Sequence, residues 1–168
     1  SYRATPRDID KLVRADLIVA NGLHLEGKLA ELLKRIGNKR PFVAVGNAVP
    51  KTELLPIGNN LFDPHIWFDA KLWSYCPSAV ADALSKLDRR SAEEYHQGAV
   101  KYATELLELD EMVSQKIKKI PDQHRVLITA HDAFRYFGRA YGIEVVGVQG
   151  TSTESEAGLA DMNQLVDL

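Results

Sequence analysis

The amino-acid sequence predicts an α/β protein of two lobes with parallel sheets, joined by one long helix. Three observations predict it. Before residue 46, helix-spaced apolar residues alternate twice with short apolar strand-like runs, the pattern of stacked αβ layers. From Ser91 to Ile120 a single stretch keeps helical periodicity, and beyond Pro121 the αβ alternation resumes. The expected domains are therefore residues 1–90 as a first αβ lobe, 91–120 as a linking helix, and 121–168 as the start of a second αβ lobe.

Thr5-Pro6-Arg7-Asp8 reads as a helix start: Thr5 can cap, proline is pre-set for the first helical position, and Asp8 completes a capping box. The helix runs to about Ala15, with Ile9, Leu12 and Val13 as its apolar stripe. Leu17-Ile18-Val19-Ala20 then reads as a buried strand stopped by Asn21-Gly22. A second helix spans about Lys28 to Ile36, with Leu29, Leu32, Leu33 and Ile36 on one face. It stops at Gly37-Asn38, and Phe42-Val43-Ala44-Val45 is the second strand. Residues 47–62 are expected to be irregular, because Pro50, Pro56 and Gly58-Asn59-Asn60 break any periodicity. Asp69 can cap a helix to about Lys86 whose inner face carries Leu72, Cys76, Ala79, Ala83 and Leu87, with Pro77 kinking or dividing it. Ser91-Ala92-Glu93-Glu94 is a second capping-box pattern. It opens a helix about 40 Å long with Ala99, Ala103, Leu106, Val113, Ile117 and Ile120 in one stripe. Past Pro121, a strand is expected over 125–129, a short helix from Ala133 to Tyr141 with Phe134, Phe137 and Tyr141 inward, a strand over 145–148, and a further helix from Glu156.

Composition narrows the function classes. With 45% hydrophobic and 26% charged residues and a formal net charge of −2, the chain offers no electrostatic footprint for nucleic acid. No apolar run approaches the roughly 20 residues that a membrane-spanning helix needs. The single cysteine, Cys76, excludes an internal disulfide and a multi-thiolate zinc cluster, and it reads as a small buried apolar residue.

Two histidines stand where elements begin or end. His65 lies in Asp63-Pro64-His65-Ile66-Trp67-Phe68-Asp69, between a backbone-restricting Asp-Pro pair and two aromatic rings. Asp63 or Asp69 could hydrogen-bond its ring, the usual support of a metal-bound imidazole. His131 lies in Thr129-Ala130-His131-Asp132-Ala133-Phe134, just past the strand at 125–129, and ligands collect outside the carboxyl ends of parallel strands. Asp132 reads as the N-cap of the next helix. Two neutral imidazoles do not balance a divalent cation. On pattern alone, a core or capping role outweighs metal ligation for each histidine.

Three ordered segments shift that balance: Asn21-Gly22-Leu23-His24-Leu25-Glu26, Asp63 to Asp69, and Thr129 to Phe134 continuing through Tyr136-Phe137-Gly138-Arg139-Ala140-Tyr141-Gly142. Over essentially its whole length the chain resembles the TroA-type zinc, manganese and iron solute-binding proteins of bacterial ATP-binding-cassette importers. The resemblance implies two α/β lobes on a rigid long helix, a metal in the cleft between them, and four ligands. His65 would be the second and His131 the third. The first would immediately precede Ser1, and the fourth, an aspartate, would lie beyond Leu168. The chain is therefore expected to be an internal segment cut at both ends, lacking the first strand of the N-terminal lobe, with the C-terminal lobe incomplete.

The resemblance further implies a periplasmic or otherwise extracytoplasmic parent protein, lipid-anchored in many relatives. Its partners would be a membrane permease and a metal ion; nucleic acid is not among them, and the parent is expected to be a monomer. The cargo would be a divalent transition metal, with no organic cofactor. Imidazole at the third position favours zinc, with manganese or iron possible. His24, His96 and His124 are expected to have structural or solvated roles, and Glu26 belongs to the family-like pattern without an evident mechanism. Delivery of metal without catalysis is thus the expected function. The alternatives are a zinc hydrolase using His65 and His131, for which no His-Glu-X-X-His element is present, and an adhesin or interaction domain on the same fold.

Overall fold

The structure is a computed structural model and describes residues 5–149. The helix expected from Glu156 lies outside the described residues. The chain divides into two compact units, one ending at Leu109 and the other beginning at Asp110.

In the first unit, helix α1 (Pro6–Arg14) starts as its sequence predicts. The Thr5 hydroxyl accepts from the Asp8 amide at 3.3 Å, and the Thr5 amide donates to Asp8 Oδ2 at 2.9 Å, with Pro6 in the first turn. Strand β1 (Ile18–Ala20), helix α2 (Leu29–Gly37) and strand β2 (Phe42–Ala44) follow. The strands pair in parallel, Ile18 against Phe42 and Ala20 against Ala44. Ile18, Leu33 and Ile36 form the buried cluster beneath them, with Leu12, Ala15, Leu29 and Leu32 packed on it. The apolar spacing of α1 and α2 thus delivers the expected layer, although β2 ends one residue early because Val45–Ala48 turns into a 3-10 segment.

Residues 47–62 are more ordered than expected. They hold a 3-10 turn at Lys51–Glu53 and an antiparallel hairpin of β3 (Pro56–Gly58) and β4 (Leu61–Phe62). Its turn uses positive φ at Gly58 (92°), Asn59 (50°) and Asn60 (57°). Glycine and asparagine are the residues that tolerate this left-handed conformation, so the cluster that interrupts periodicity is itself the hairpin signal.

The stretch after Asp69 is two helices, α3 (Ala70–Trp73) and α4 (Cys76–Leu87). Asp69 Oδ1 accepts from the Leu72 amide at 3.0 Å, the expected cap. Pro77 sits in the first turn of α4, where its missing N–H deprives no helical carbonyl. Leu72, Cys76 and Ala81 are buried, whereas Leu87, expected on the same face, is 47% exposed. Helix α5 (Ala92–Ile117) spans 26 residues, and Leu106 is buried on it while Ile120 lies beyond its end and is exposed. Asp88 does more at its entry than the Ser91 box: its carboxylate accepts from the Arg90 amide at 3.1 Å, the Ser91 hydroxyl at 2.8 Å and the Tyr95 hydroxyl at 3.4 Å. These bonds, that from Ser91 foremost, hold the Asp88 carboxyl below its ordinary range.

In the second unit, strand β5 (Val126–His131), helix α6 (Arg135–Tyr141) and strand β6 (Glu144–Gln149) form a parallel pair with a helical crossover. Gly142, at φ 67°, closes α6 in the left-handed conformation. Two expectations fail here. Asp132 is not the N-cap, because β5 runs on to His131 and α6 starts only at Arg135, with Phe134 in the cap position. Asp132 instead packs against β6: a Cβ on Gly147 would stand 2.7 Å from Asp132 Cβ. Tyr141 is buried as expected, but the fully buried ring of α6 is Tyr136, and Phe134 and Phe137 are only half-buried. Phe137 lies edge-on to Tyr141 at 4.8 Å, and the Tyr141 hydroxyl donates to Asp110 Oδ1 at 2.9 Å.

Candidate metal centre

The β3–β4 hairpin delivers the chain to Asp63, whose amide donates to the Leu55 carbonyl at 2.8 Å. Asp63 has no solvent exposure and His65 is buried. A carboxylate removed from water must be compensated by hydrogen bonds. Asp63 Oδ1 accepts two from one residue, the His65 amide at 3.0 Å and the His65 ring Nδ1–H at 2.6 Å. With the Nδ1 proton directed at a carboxylate, the imidazole lone pair is on Nε2. The Trp67 ring stands edge-on to His65 at 5.3 Å, and Phe68 lies 5.5 Å beyond Trp67. Of the two carboxylates expected to support His65, Asp63 takes the role; Asp69 is committed to capping α3.

The carboxyl ends of β1 and β2 reach this turn through Asn21. Its side-chain amide donates to the Pro64 carbonyl at 3.1 Å and to the Gly22 carbonyl at 3.0 Å. The following loop is left-handed over three consecutive residues, Gly22 (φ 79°), Leu23 (53°) and His24 (65°). That conformation costs a non-glycine residue energy, and Glu26 offsets it by accepting from the Gly22 amide at 3.0 Å. This gives Glu26 a mechanism that sequence reasoning missed. The signal was local, an acceptor four residues after a glycine that ends a strand.

In the second unit His131 is the last residue of β5, opposite Gln149 of β6, rather than just past the strand. Its carbonyl accepts from the Thr129 hydroxyl at 3.0 Å and the Ala133 amide at 2.8 Å, which bends the chain sharply after the imidazole. It keeps the expected station at the carboxyl end of a parallel strand. His24 and His124 are exposed, and exposed His96 lies 3.8 Å from Asp82 Oδ1 and 3.4 Å from Ser85 Oγ. Among the described residues no group of three or more histidine, cysteine, aspartate or glutamate side chains is placed to hold a metal ion. Cys76 is buried, and burial pushes its thiol from 9.0 up to about 12, so it offers no thiolate at neutral pH. Among the described residues no helix is long and apolar enough to cross a membrane.

Comparison with known proteins agrees with the order of these elements. The family model described as "Zinc-uptake complex component A periplasmic" matches residues 1–168. The manganese-binding lipoprotein MntA of Bacillus subtilis is 44% identical over 168 residues, covering 99% of this chain and 55% of that protein. The zinc-binding protein TroA of Treponema pallidum is 47% identical over 164 residues, covering 98% and 53%. Its solved structure superposes with a TM-score of 0.93 at 46% identity, over 99% of this chain and 60% of that one. The chain spans about half the length of the curated relatives it matches.

Proposed function

The chain belongs to the periplasmic zinc-uptake component A family, and on that premise we propose that its protein captures a divalent transition-metal ion outside the cytoplasmic membrane and passes it to an ATP-binding-cassette permease. No catalytic step is part of this reading. The observation that carries it is the Asp63 and His65 pair, a buried imidazole oriented by a buried carboxylate at 2.6 Å. This is the arrangement that fixes the tautomer and raises the basicity of a metal-binding histidine.

His65 through Nε2 and His131 are the proposed ligands that this chain contributes. Charge balance calls for at least one carboxylate among the others, since two neutral imidazoles leave a divalent cation uncompensated. Zinc is the favoured cargo because imidazole suits a borderline ion, and manganese and ferrous iron fit the same donor set. The names of the relatives do not choose, since one is called manganese-binding and another zinc-binding at similar identity.

Calorimetric titration of the full-length protein with zinc and with manganese tests the reading, with metal content measured in parallel. His65→Ala and His131→Ala are each expected to weaken binding more than the loss of a supporting residue does, that is by more than about 100-fold. Stoichiometric binding of unchanged affinity in both variants would overturn the ligand assignment. Metal-dependent turnover of an ester or peptide would favour a hydrolase instead.

A further inference from the structure

We infer that Asn21 is a positioning residue for His65, acting through the Pro64 carbonyl; the inference rests on the proposed role of His65 as a metal ligand. The Pro64 to His65 peptide carries two polar groups, and side chains hold both. Its N–H donates to Asp63 Oδ1 at 3.0 Å, and its carbonyl accepts from Asn21 Nδ2 at 3.1 Å. The Asp63 contact spans two residues, whereas Asn21 reaches across from the end of β1, 43 positions earlier. Proline fixes its own φ near −65°. With both ends of the next peptide held, little freedom remains in the direction from which the imidazole leaves the backbone.

Asn21 is itself held by the sheet. Its carbonyl accepts from the Gly46 amide at 2.8 Å just after β2, and a Cβ on Gly46 would come within 2.7 Å of that oxygen. The next residue, Gly22, is tied by Glu26 at 3.0 Å, and a Cβ on it would meet Ala44 Cβ at 2.9 Å. The Asn-Gly-Leu-His-Leu-Glu segment thus couples the carboxyl ends of β1 and β2 to the turn that presents His65.

Asn21→Asp keeps the shape but turns an acceptor toward two carbonyls, and Asn21→Ala removes the donor without adding charge; the second is read if the first does not fold. Two measurements on the full-length protein decide the matter. Without metal, amide hydrogen exchange at His65 is expected to quicken about tenfold in either variant, as the loss of one hydrogen bond implies. Exchange at Ile18, whose amide donates to Pro41 at 3.0 Å in the sheet, is expected to stay as in the parent. Zinc affinity by chelator competition is expected to fall about tenfold, the lower end of what loss of a supporting partner costs. Equal acceleration at Ile18 would mean that Asn21 merely stabilises the fold, and unchanged exchange at His65 would mean that it does not hold the turn; either result overturns the inference. Should His65→Ala leave zinc affinity intact, the metal reading fails, and the exchange data alone decide whether Asn21 anchors the turn.

Discussion

Asp63 is buried completely, and a carboxylate in that position costs several kcal/mol unless donors replace its water. Its Oδ1 receives the amide and the ring of His65 together, so one oxygen sets both the backbone and the tautomer of the proposed ligand. Asp63→Asn preserves the volume but removes the charge that polarises the imidazole. Zinc affinity of the full-length protein is expected to drop about 10- to 100-fold, read by competition with a chelator; affinity within a factor of two of the parent would show that Asp63 only packs. The sequence narrowed the partner of His65 to Asp63 or Asp69, and the structure chooses Asp63, two residues before the histidine with proline between them. The role of Glu26 was not legible. It reaches the Gly22 amide only because left-handed Leu23 and His24 turn the chain back, residue types that local preference does not place in that conformation.

Helix starts were legible where one side chain decides them, as Thr5 and Asp69 show, and illegible where the preceding strand decides them, as at Asp132, which β5 displaces by running on to His131. The face of α6 was misread for a related reason. Periodicity ranks Phe134 and Phe137 inward, yet the buried positions of α6 are Tyr136, Gly138 and Tyr141, and Gly138 is where the helix comes close to the chain entering β6. A Cβ on Gly138 would lie 2.7 Å from both the Ile143 carbonyl oxygen and Val145 Cγ2. Gly138→Ala is therefore expected to destabilise by about 1–3 kcal/mol, the usual cost of overpacking. Gly98 makes the contrast: it is exposed inside α5, and a Cβ there meets nothing within 4 Å. Gly98→Ala is expected to stabilise by about 1 kcal/mol through helix propensity alone. Urea unfolding of both variants checks the pair, and equal signs would contradict the close contact at Gly138.

At the scale of the whole chain, the αβ alternation was readable because each strand is short, apolar and flanked by a helix of clear spacing, and α5 stood out by length. The strands of the hairpin at residues 56–62 were hidden because runs of three and two residues have no periodicity to detect, and only the turn residues Gly58-Asn59-Asn60 carried a signal. The division at Leu109 was equally hidden, since it falls inside a helix whose local pattern does not change there. His65 lies on one side of that division and His131 on the other. A ligand that binds only the native state stabilises it by RT ln(1 + [L]/Kd), about 4 kcal/mol at a thousandfold excess over Kd. The proposed ligand His65 is aimed by a folded turn through Asp63, so a zinc ion that it holds binds the native state. In the full-length protein, zinc at that excess is expected to raise stability by about 4 kcal/mol, and a chelator is expected to return it to the metal-free value. His65→Ala is expected to lose this gain, while Gly98→Ala, whose added Cβ meets nothing within 4 Å, keeps it and adds its own increment. The measurement is thermal or urea unfolding of parent and variants with and without zinc. A zinc-dependent gain of the same size in His65→Ala would place the bound ion elsewhere in the protein.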